Sequence, residues 1–402
     1  MSALTLTGLT IFLAYYCGRA TLKLKLPSLI GYMLLGASIG LSGTGWFDEK
    51  VLQSLGFINE IALGFVAFSI GLELNFSSLR QLGKSIIIII LSESLVAFSV
   101  VLVAVYALTQ DLALSLIFGA MAPASAPAGT VAVIQEFKAK GTLTKALYAV
   151  VGFDDGLAII IFAFAASIAR NLLIHESSGH DMPILPGLIV AAREILFSCL
   201  VGVTMGLILR QLTKMVKDER DMTILTFAAV LVASGISASF HLSLILTNIV
   251  VGLTLVNTQK HSIVSKISNQ LSNIMPLLFV LFFSLAGAHL NVRALPSLGL
   301  IGIVYILGRS FGLVGGAWLG ATVGRAEEKI KKYLGMGILS QAGVAIGLSL
   351  IVKHDFDQIA SAHAREIGVA VITTITATSI IFEIIGPIMT KIALSRAGEI
   401  EI

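Results

Sequence analysis

Residues 112–170 read LALSLIFGAMAPASAPAGTVAVIQEFKAKGTLTKALYAVVGFDDGLAIIIFAFAASIAR. Two apolar runs, 112–135 and 145–170, flank Lys138, Lys140 and Lys145. Each is long enough to cross a bilayer as a helix, which takes about 20 residues. The first run contains Pro123 and Pro127, followed by Gly129. Two prolines four apart remove two backbone donors and clash with preceding carbonyls, so this helix is expected to be broken. The second carries Gly152-Phe153-Asp154-Asp155-Gly156 well inside its run. One ionised Asp at the centre of a membrane helix costs about 2.5–3.5 kcal/mol on insertion scales. Two adjacent ones would be selected against unless they had a use. Neighbours on a helix point about 100° apart, so the two carboxylates face different surroundings.

The rest of the chain agrees with a membrane reading. Of 402 residues, 56% are apolar and 12% are Asp, Glu, Lys or Arg, with mean hydropathy +0.95; soluble domains are nearer about 45–50% and 25%. The fold class is an all-α polytopic membrane protein, and no stretch is polar for long enough to be a soluble domain. Thirteen spans are expected, at 3–22, 27–44, 53–72, 82–108, 112–135, 145–170, 185–213, 221–239, 242–257, 270–289, 296–322, 332–353 and 365–393. The first is read as a retained span, because Met1–Leu4 lack the basic residues of a signal peptide. Twenty basic residues, from Arg19 to Arg396, fall in one set of alternate loops. Six (Lys50, Arg170, Arg193, Arg293, Lys353 and Arg365) fall in the other, and Arg309 lies mid-span. By the positive-inside rule the N-terminus is outside and the C-terminus cytoplasmic. Cys17 and Cys199 sit in apolar runs without metal-ligand spacing and are read as packing residues.

The chain also repeats itself. Leu26–Gly36 resembles Leu242–Gly252, and Phe65–Asn75 resembles Phe279–Asn291. Leu91–Ser94 falls opposite Leu307–Ser310, and Ala126–Gly129 opposite Ser340–Gly343. All four matches have nearly the same offset, which shifts span 2 onto span 9. Seven crossings is an odd number, so two six-helix repeats would be inverted around span 7 (6+1+6), the layout of secondary transporters. The repeat makes spans 5 and 12 a pair of broken crossing helices, lined by Pro123, Pro127 and Gly129 and by Ser340, Gln341 and Gly343. Broken backbone in a bilayer lines a cavity or protein interior and exposes carbonyls and helix ends that can bind or balance ions; the alternative is a packing kink. Arg309 in span 11 is the candidate counter-charge, with Asp154, Glu93 or both as partners and Asp154 favoured. Glu93 in span 4 is its repeat mate, and Glu383 in span 13 is a further candidate.

With these features the chain resembles the monovalent cation:proton antiporters, in the branch of the Kef potassium-efflux systems and NapA-type sodium/proton antiporters. The resemblance rests on the thirteen spans, the inverted repeats, the broken span 5, Asp154-Asp155, the basic Arg309 and Ser340-Gln341-Ala342-Gly343. It implies that Asp155 alternately binds cation and proton and that Asp154 contacts Arg309. Thr130 and the opened backbone near Ser125 would complete the cation's oxygen shell, facing Gln341. Residues 82–170 and 296–393 would form an ion-transporting core, 1–75 and 221–290 a scaffold and homodimer surface, and 185–213 a linker helix. The expected activity is alternating-access exchange of a monovalent cation for H⁺ in pH homeostasis, with Na⁺ placed ahead of Li⁺ or K⁺. No cofactor or nucleic acid is implied, and the expected location is the inner membrane of a cell. Two departures matter. Kef proteins typically carry Gln-Asp and append a nucleotide-binding domain absent from these 402 residues. Electrogenic sodium antiporters usually have Lys where this chain has Arg309; Arg stays charged where Lys can lose its proton, so electroneutral exchange is expected.

Three other readings are weaker. A sodium-coupled organic-anion symporter of similar fold would use uncharged sodium ligands in place of Asp-Asp. A cation channel would not show saturable exchange dependent on Asp155. An intramembrane aspartyl protease needs two carboxylates facing each other to share a proton, which adjacent residues on one helix cannot do, so the chain is not read as an enzyme.

Overall fold

The computed structural model describes residues 3–41, 43–47, 49–76, 83–178, 185–216, 218–240, 242–289, 299–341, 343–359 and 361–400. Arg80, Lys217, Asn291, Arg293 and Ala342, used in the sequence reading, lie outside the described residues. Among the described residues every regular element is helical. In chain order they are α1 (Ala3–Lys23), α2 (Ser28–Ile39), α3 (Glu49–Ser54), α4 (Gly56–Glu73), α5 (Lys84–Thr109), α6 (Leu112–Met121), α7 (Pro127–Glu136) and α8 (Thr142–Ser178). There follow α9 (Leu185–Met215), α10 (Glu219–Ser239), α11 (Leu244–Thr258), α12 (His261–His289), α13 (Gly299–Val323), α14 (Glu328–Gly337), α15 (Gly343–Asp357) and α16 (Ala362–Arg396). Eight of them are long and apolar enough to cross a membrane alone, and α2, α6 and α11 are shorter apolar helices. The chain is a multi-pass, all-helical membrane protein.

The fold divides into two units. The first comprises residues 1–81, 127–139 and 194–292. Its helices pack through glycines. A Cβ on Gly36 of α2 would lie 2.1 Å from the Ser284 carbonyl oxygen of α12, and one on Gly287 would lie 2.2 Å from that of Met33. The pair α4 and α11 meets in the same way, Gly71 against the Ile249 carbonyl oxygen (2.1 Å) and Gly252 against that of Phe68 (2.4 Å). Small residues that let backbones touch are the usual means of packing helices where lipid removes the hydrophobic driving force.

The second unit comprises residues 82–126, 140–193 and 293–402. Its central pair is α5 against α13, and the contact is a ladder. Gly308, Gly312, Gly316 and Gly320 recur every four residues, one per helical turn. They face Val101, Ala97, Glu93 and Ile89 of α5. This ladder sets the separation of Glu93 and Arg309, which lie on its two sides. In Gly316→Ala the new Cβ would lie 2.6 Å from the Glu93 Cα, so the helices must part. The expected loss is about 1–3 kcal/mol, read as a lower thermal midpoint in detergent; an unchanged midpoint would show that the pair is not rigid.

Both expected helix breaks are present. Helix α6 is capped by Asp111, whose side chain accepts from the Leu114 N–H at 3.0 Å and contacts His363 Nε2 of α16 at 2.8 Å. It stops at Met121, and helical structure resumes at Pro127, whose ring bars its predecessor from the helical region. The second break separates α14 from α15, with Leu339–Gln341 non-helical. Within the second unit the breaks are joined directly, the Ala126 N–H donating to the Ser340 carbonyl at 2.9 Å.

Candidate functional site

Asp154 and Asp155 lie on α8 and are both buried. Their surroundings differ, as their angular separation requires. Asp154 accepts a hydrogen bond on one carboxylate oxygen from the Ser125 hydroxyl, in the non-helical segment after α6, and on the other from the Asp155 backbone N–H at 2.8 Å. Asp155 has both carboxylate oxygens buried without a protein donor. Adjacent acids thus occupy unequal positions, one held by donors and one left to meet whatever enters.

Arg309 is fully buried and reaches across both breaks. Nε donates to the Ala122 carbonyl (3.0 Å), Nη1 to Leu339 (2.6 Å), and Nη2 to Ala124 (3.0 Å) and Ser340 (3.2 Å). The Phe382 ring of α16 lies 4.4 Å from the guanidinium carbon. Among the described residues, Arg309 makes no ion pair with Asp154 or Glu93. Its partners are carbonyl oxygens, which the two helix breaks leave without intrahelical donors. One planar cation with five N–H groups in a fork can serve several at once. Glu93 is buried, accepts from the Ser94 hydroxyl at 2.7 Å, and leaves its other oxygen without a donor.

Gln341 repeats this bracing beside the arginine, its amide donating to the Met121 carbonyl (3.0 Å) and to the Tyr305 hydroxyl oxygen (2.8 Å). Tyr305 stands one turn before Arg309. Pro123 lies buried in the non-helical segment after α6, Ser340 in the second break, and Gly343 begins α15. Glu383 follows Phe382 on α16 and is buried. The second unit therefore gathers Ser125, Asp154, Asp155, Glu93, Arg309, Ser340 and Gln341. Thr130, Pro127 and Gly129 are buried on α7, which belongs to the first unit.

Tyr305, Phe382 and the four carbonyls were not singled out in the sequence. An aromatic in an apolar span gives no pattern of its own, although the spacing of Tyr305 and Arg309 on one helix face was readable. Removing the hydroxyl in Ser125→Ala leaves one oxygen of buried Asp154 without its donor. The expected cost is about 1.5–3 kcal/mol, seen as a lowered thermal midpoint that Ser125→Thr restores; equal midpoints for all three proteins would refute a role for the hydroxyl.

Multiple membrane-length helices with acids and a guanidinium buried at helix breaks define a membrane protein built around charge in its interior. The family described as "Sodium/hydrogen exchanger, transmembrane" matches residues 8–394, and the chain belongs to that family. It is 22% identical over 345 residues to the ammonium/H⁺ antiporter subunit AmhT of Alkalihalophilus pseudofirmus, covering 84% of each chain. It is also 22% identical over 369 residues to the high-affinity Na⁺/H⁺ antiporter NhaS3 of Synechocystis, covering 82% of this chain and 78% of the relative. Among solved structures it resembles the sodium proton antiporter MjNhaP1 of Methanocaldococcus jannaschii. The TM-scores are 0.70 for a structure at pH 8 and 0.75 for an electron-microscopy structure, at 17% and 18% identity and with 98% or more of each chain covered. The fold is that of MjNhaP1.

Proposed function

We propose that this chain is a monovalent cation/proton antiporter in which Asp155 is the site of exchange. The observation that carries this is the inequality of the two acids: Asp154 is held by two donors while Asp155 has none. A bare buried carboxylate is costly when charged. A proton or a cation each removes that cost, and only the neutralised site passes the barrier between the two faces of the membrane. An empty charged site does not pass, so inward movement of one ligand is tied to outward movement of the other. Asp154, whose two partners both donate, acts as a fixed anion. Arg309 stays charged throughout, so one proton leaves per cation bound and exchange is electroneutral.

The same reading takes the chain as thirteen crossings in two inverted repeats, N-terminus outside and C-terminus cytoplasmic, in the inner membrane and as a homodimer. Residues 82–170 and 296–393 are its core and 1–75 and 221–290 its scaffold, with 185–213 as the linker helix. The glycine contacts support the repeats: Gly36 with Gly287 and Gly252 with Gly71 occupy equivalent positions at the sequence offset of the repeat. Na⁺ is the first expectation, with Li⁺ and K⁺ next.

The test is purified protein in liposomes with an imposed pH gradient and an internal pH dye, adding Na⁺, Li⁺ and K⁺ in turn. Ammonium, the ion in the name of the Alkalihalophilus relative, enters as a competitor, because its free base collapses a pH gradient unaided. Cation-driven pH change that persists with the membrane potential clamped at zero and does not depend on that potential is the expected result. No pH response to any cation would overturn antiport and favour a sodium-coupled symporter.

A further inference from the structure

Among the described residues six Asp, Glu, Lys or Arg side chains are buried: Glu93, Asp154, Asp155, Arg309, Glu383 and Glu399. The first five lie within the long helices of the second unit; Glu399 lies beyond the end of α16. Charged side chains are almost never buried unless paired, and Glu399 is paired with the start of another helix. Its two carboxylate oxygens accept from the backbone N–H groups of Leu143 (2.8 Å) and Thr144 (2.7 Å), and the second also accepts from the Thr144 hydroxyl (2.6 Å). Its own carbonyl accepts from the Lys140 N–H at 3.1 Å. The helix so capped is α8, which carries Asp154 and Asp155.

Each side of this joint is built for it. Helix α16 ends with Gly398 at φ +70°, the left-handed conformation that glycine adopts freely. The Gly398 N–H donates to the Ser395 carbonyl and the Glu399 N–H to that of Leu394. This paired closure turns Glu399 back toward α8. On the receiving side Gly141 precedes α8 and has no side chain with which to cap it; a Cβ there would lie 2.1 Å from the Glu399 carboxyl carbon. The first amides of a helix lack intrahelical partners and carry the positive end of its dipole, and here the neutralising carboxylate comes from a segment about 250 residues away. Next to it, the Thr142 hydroxyl donates to Glu327 at 2.7 Å, the residue before α14.

We infer that Glu399 is a positioning residue for exchange: by capping α8 from the end of α16 it fixes the register in which α8 presents Asp155. Asp155 has no protein donor to hold it, so its placement depends on the seating of its helix, and the cap lies about 17 Å along the helix axis from it. This rests on the antiport reading only for its transport readout. The test compares Glu399→Ala, Gly141→Ala and the double variant with the full-length wild type. Glu399→Ala is expected to raise the Na⁺ concentration for half-maximal exchange about fivefold, the factor a lost cap of ordinary strength corresponds to, with a smaller change in maximal rate per folded protein. Gly141→Ala should do the same by displacing the carboxylate. The double variant should be no worse than either, since without Glu399 the new methyl has nothing to displace. An unchanged half-saturation, or effects that multiply in the double variant, would overturn the proposal. Amide hydrogen exchange on the same proteins separates it from the antiport reading. If the wild type shows no cation-driven exchange, antiport fails, and faster amide exchange reaching Asp155 in Glu399→Ala still supports positioning. Faster exchange confined to Leu143 and Thr144 refutes it.

Discussion

Asp155→Asn is expected to reduce cation-driven proton movement to that of empty liposomes while leaving the protein as thermally stable as the wild type, or more so. The side chains are nearly the same shape, but the amide neither carries a charge for a cation to neutralise nor gives up a proton. The stability expectation follows from burial. The wild-type protein holds a carboxylate whose oxygens meet no protein donor, and removing the ionisable group removes the cost of burying its charge. A second readout reports binding alone. A ligand that binds only the folded state stabilises it by about 2.7 kcal/mol at one hundred times its Kd, so wild-type melting should shift upward with added Na⁺ and Asp155→Asn melting should not. Competition also fixes a pH dependence. Where the site is mostly protonated, each cation that binds displaces one proton. The half-saturating cation concentration then rises about tenfold for each unit the pH falls, and it levels off at alkaline pH. A cation-dependent melting shift that survives in Asp155→Asn would move the exchange site elsewhere, with Asp154, Glu93 and Glu383 the remaining buried acids among the described residues of the spans.

How much of this was legible in the sequence depended on whether the feature is carried by a residue type. Pro123 and Pro127 announced the first break because proline acts on the backbone whatever surrounds it, and the second break followed from the repeat. Mid-span acids and Arg309 stood out because charge in an apolar run is costly. What Arg309 touches did not stand out: its partners are the carbonyls of Ala122, Ala124, Leu339 and Ser340, and every residue has a carbonyl. The breaks imply free carbonyls, but which cation meets them is set by the packing of α13 against both breaks. The glycine ladder from Gly308 to Gly320 was present in the sequence as a four-residue period, though only the facing row on α5 shows its purpose. Glu399 was the least legible, because a glutamate after a helix-ending glycine reads as solvated surface until the amides it caps are in view.

Arg309→Ala is expected to yield no folded protein, and Arg309→Lys to yield folded protein of lower stability whose exchange responds to membrane potential. In the first variant, groups served by the guanidinium in two buried segments lose their donors together. The Ser340 carbonyl keeps the Ala126 N–H, but those of Ala122, Ala124 and Leu339 are left bare. Each unsatisfied buried group costs about 1–3 kcal/mol, and three approach the about 5–15 kcal/mol that separates folded from unfolded protein. Lysine keeps the charge but concentrates its donors on one nitrogen, which cannot reproduce a fork spread over Ala122, Ala124, Leu339 and Ser340. A loss of about 2–4 kcal/mol relative to wild type is therefore expected from one or two unserved carbonyls, measured as a lowered thermal midpoint. The change in transport has a separate cause. A buried Lys can release its proton, giving the cycle a second titrating group and a net charge movement, whereas Arg309 carries its charge through every step. Wild-type exchange should proceed at the same rate at zero and at inside-negative potential, and Arg309→Lys exchange should not. Wild-type stability in Arg309→Lys would show that charge alone, without the fork, holds the two breaks. Potential-dependent exchange by the wild type would instead require a second titrating group alongside Asp155, with Asp154 its nearest neighbour.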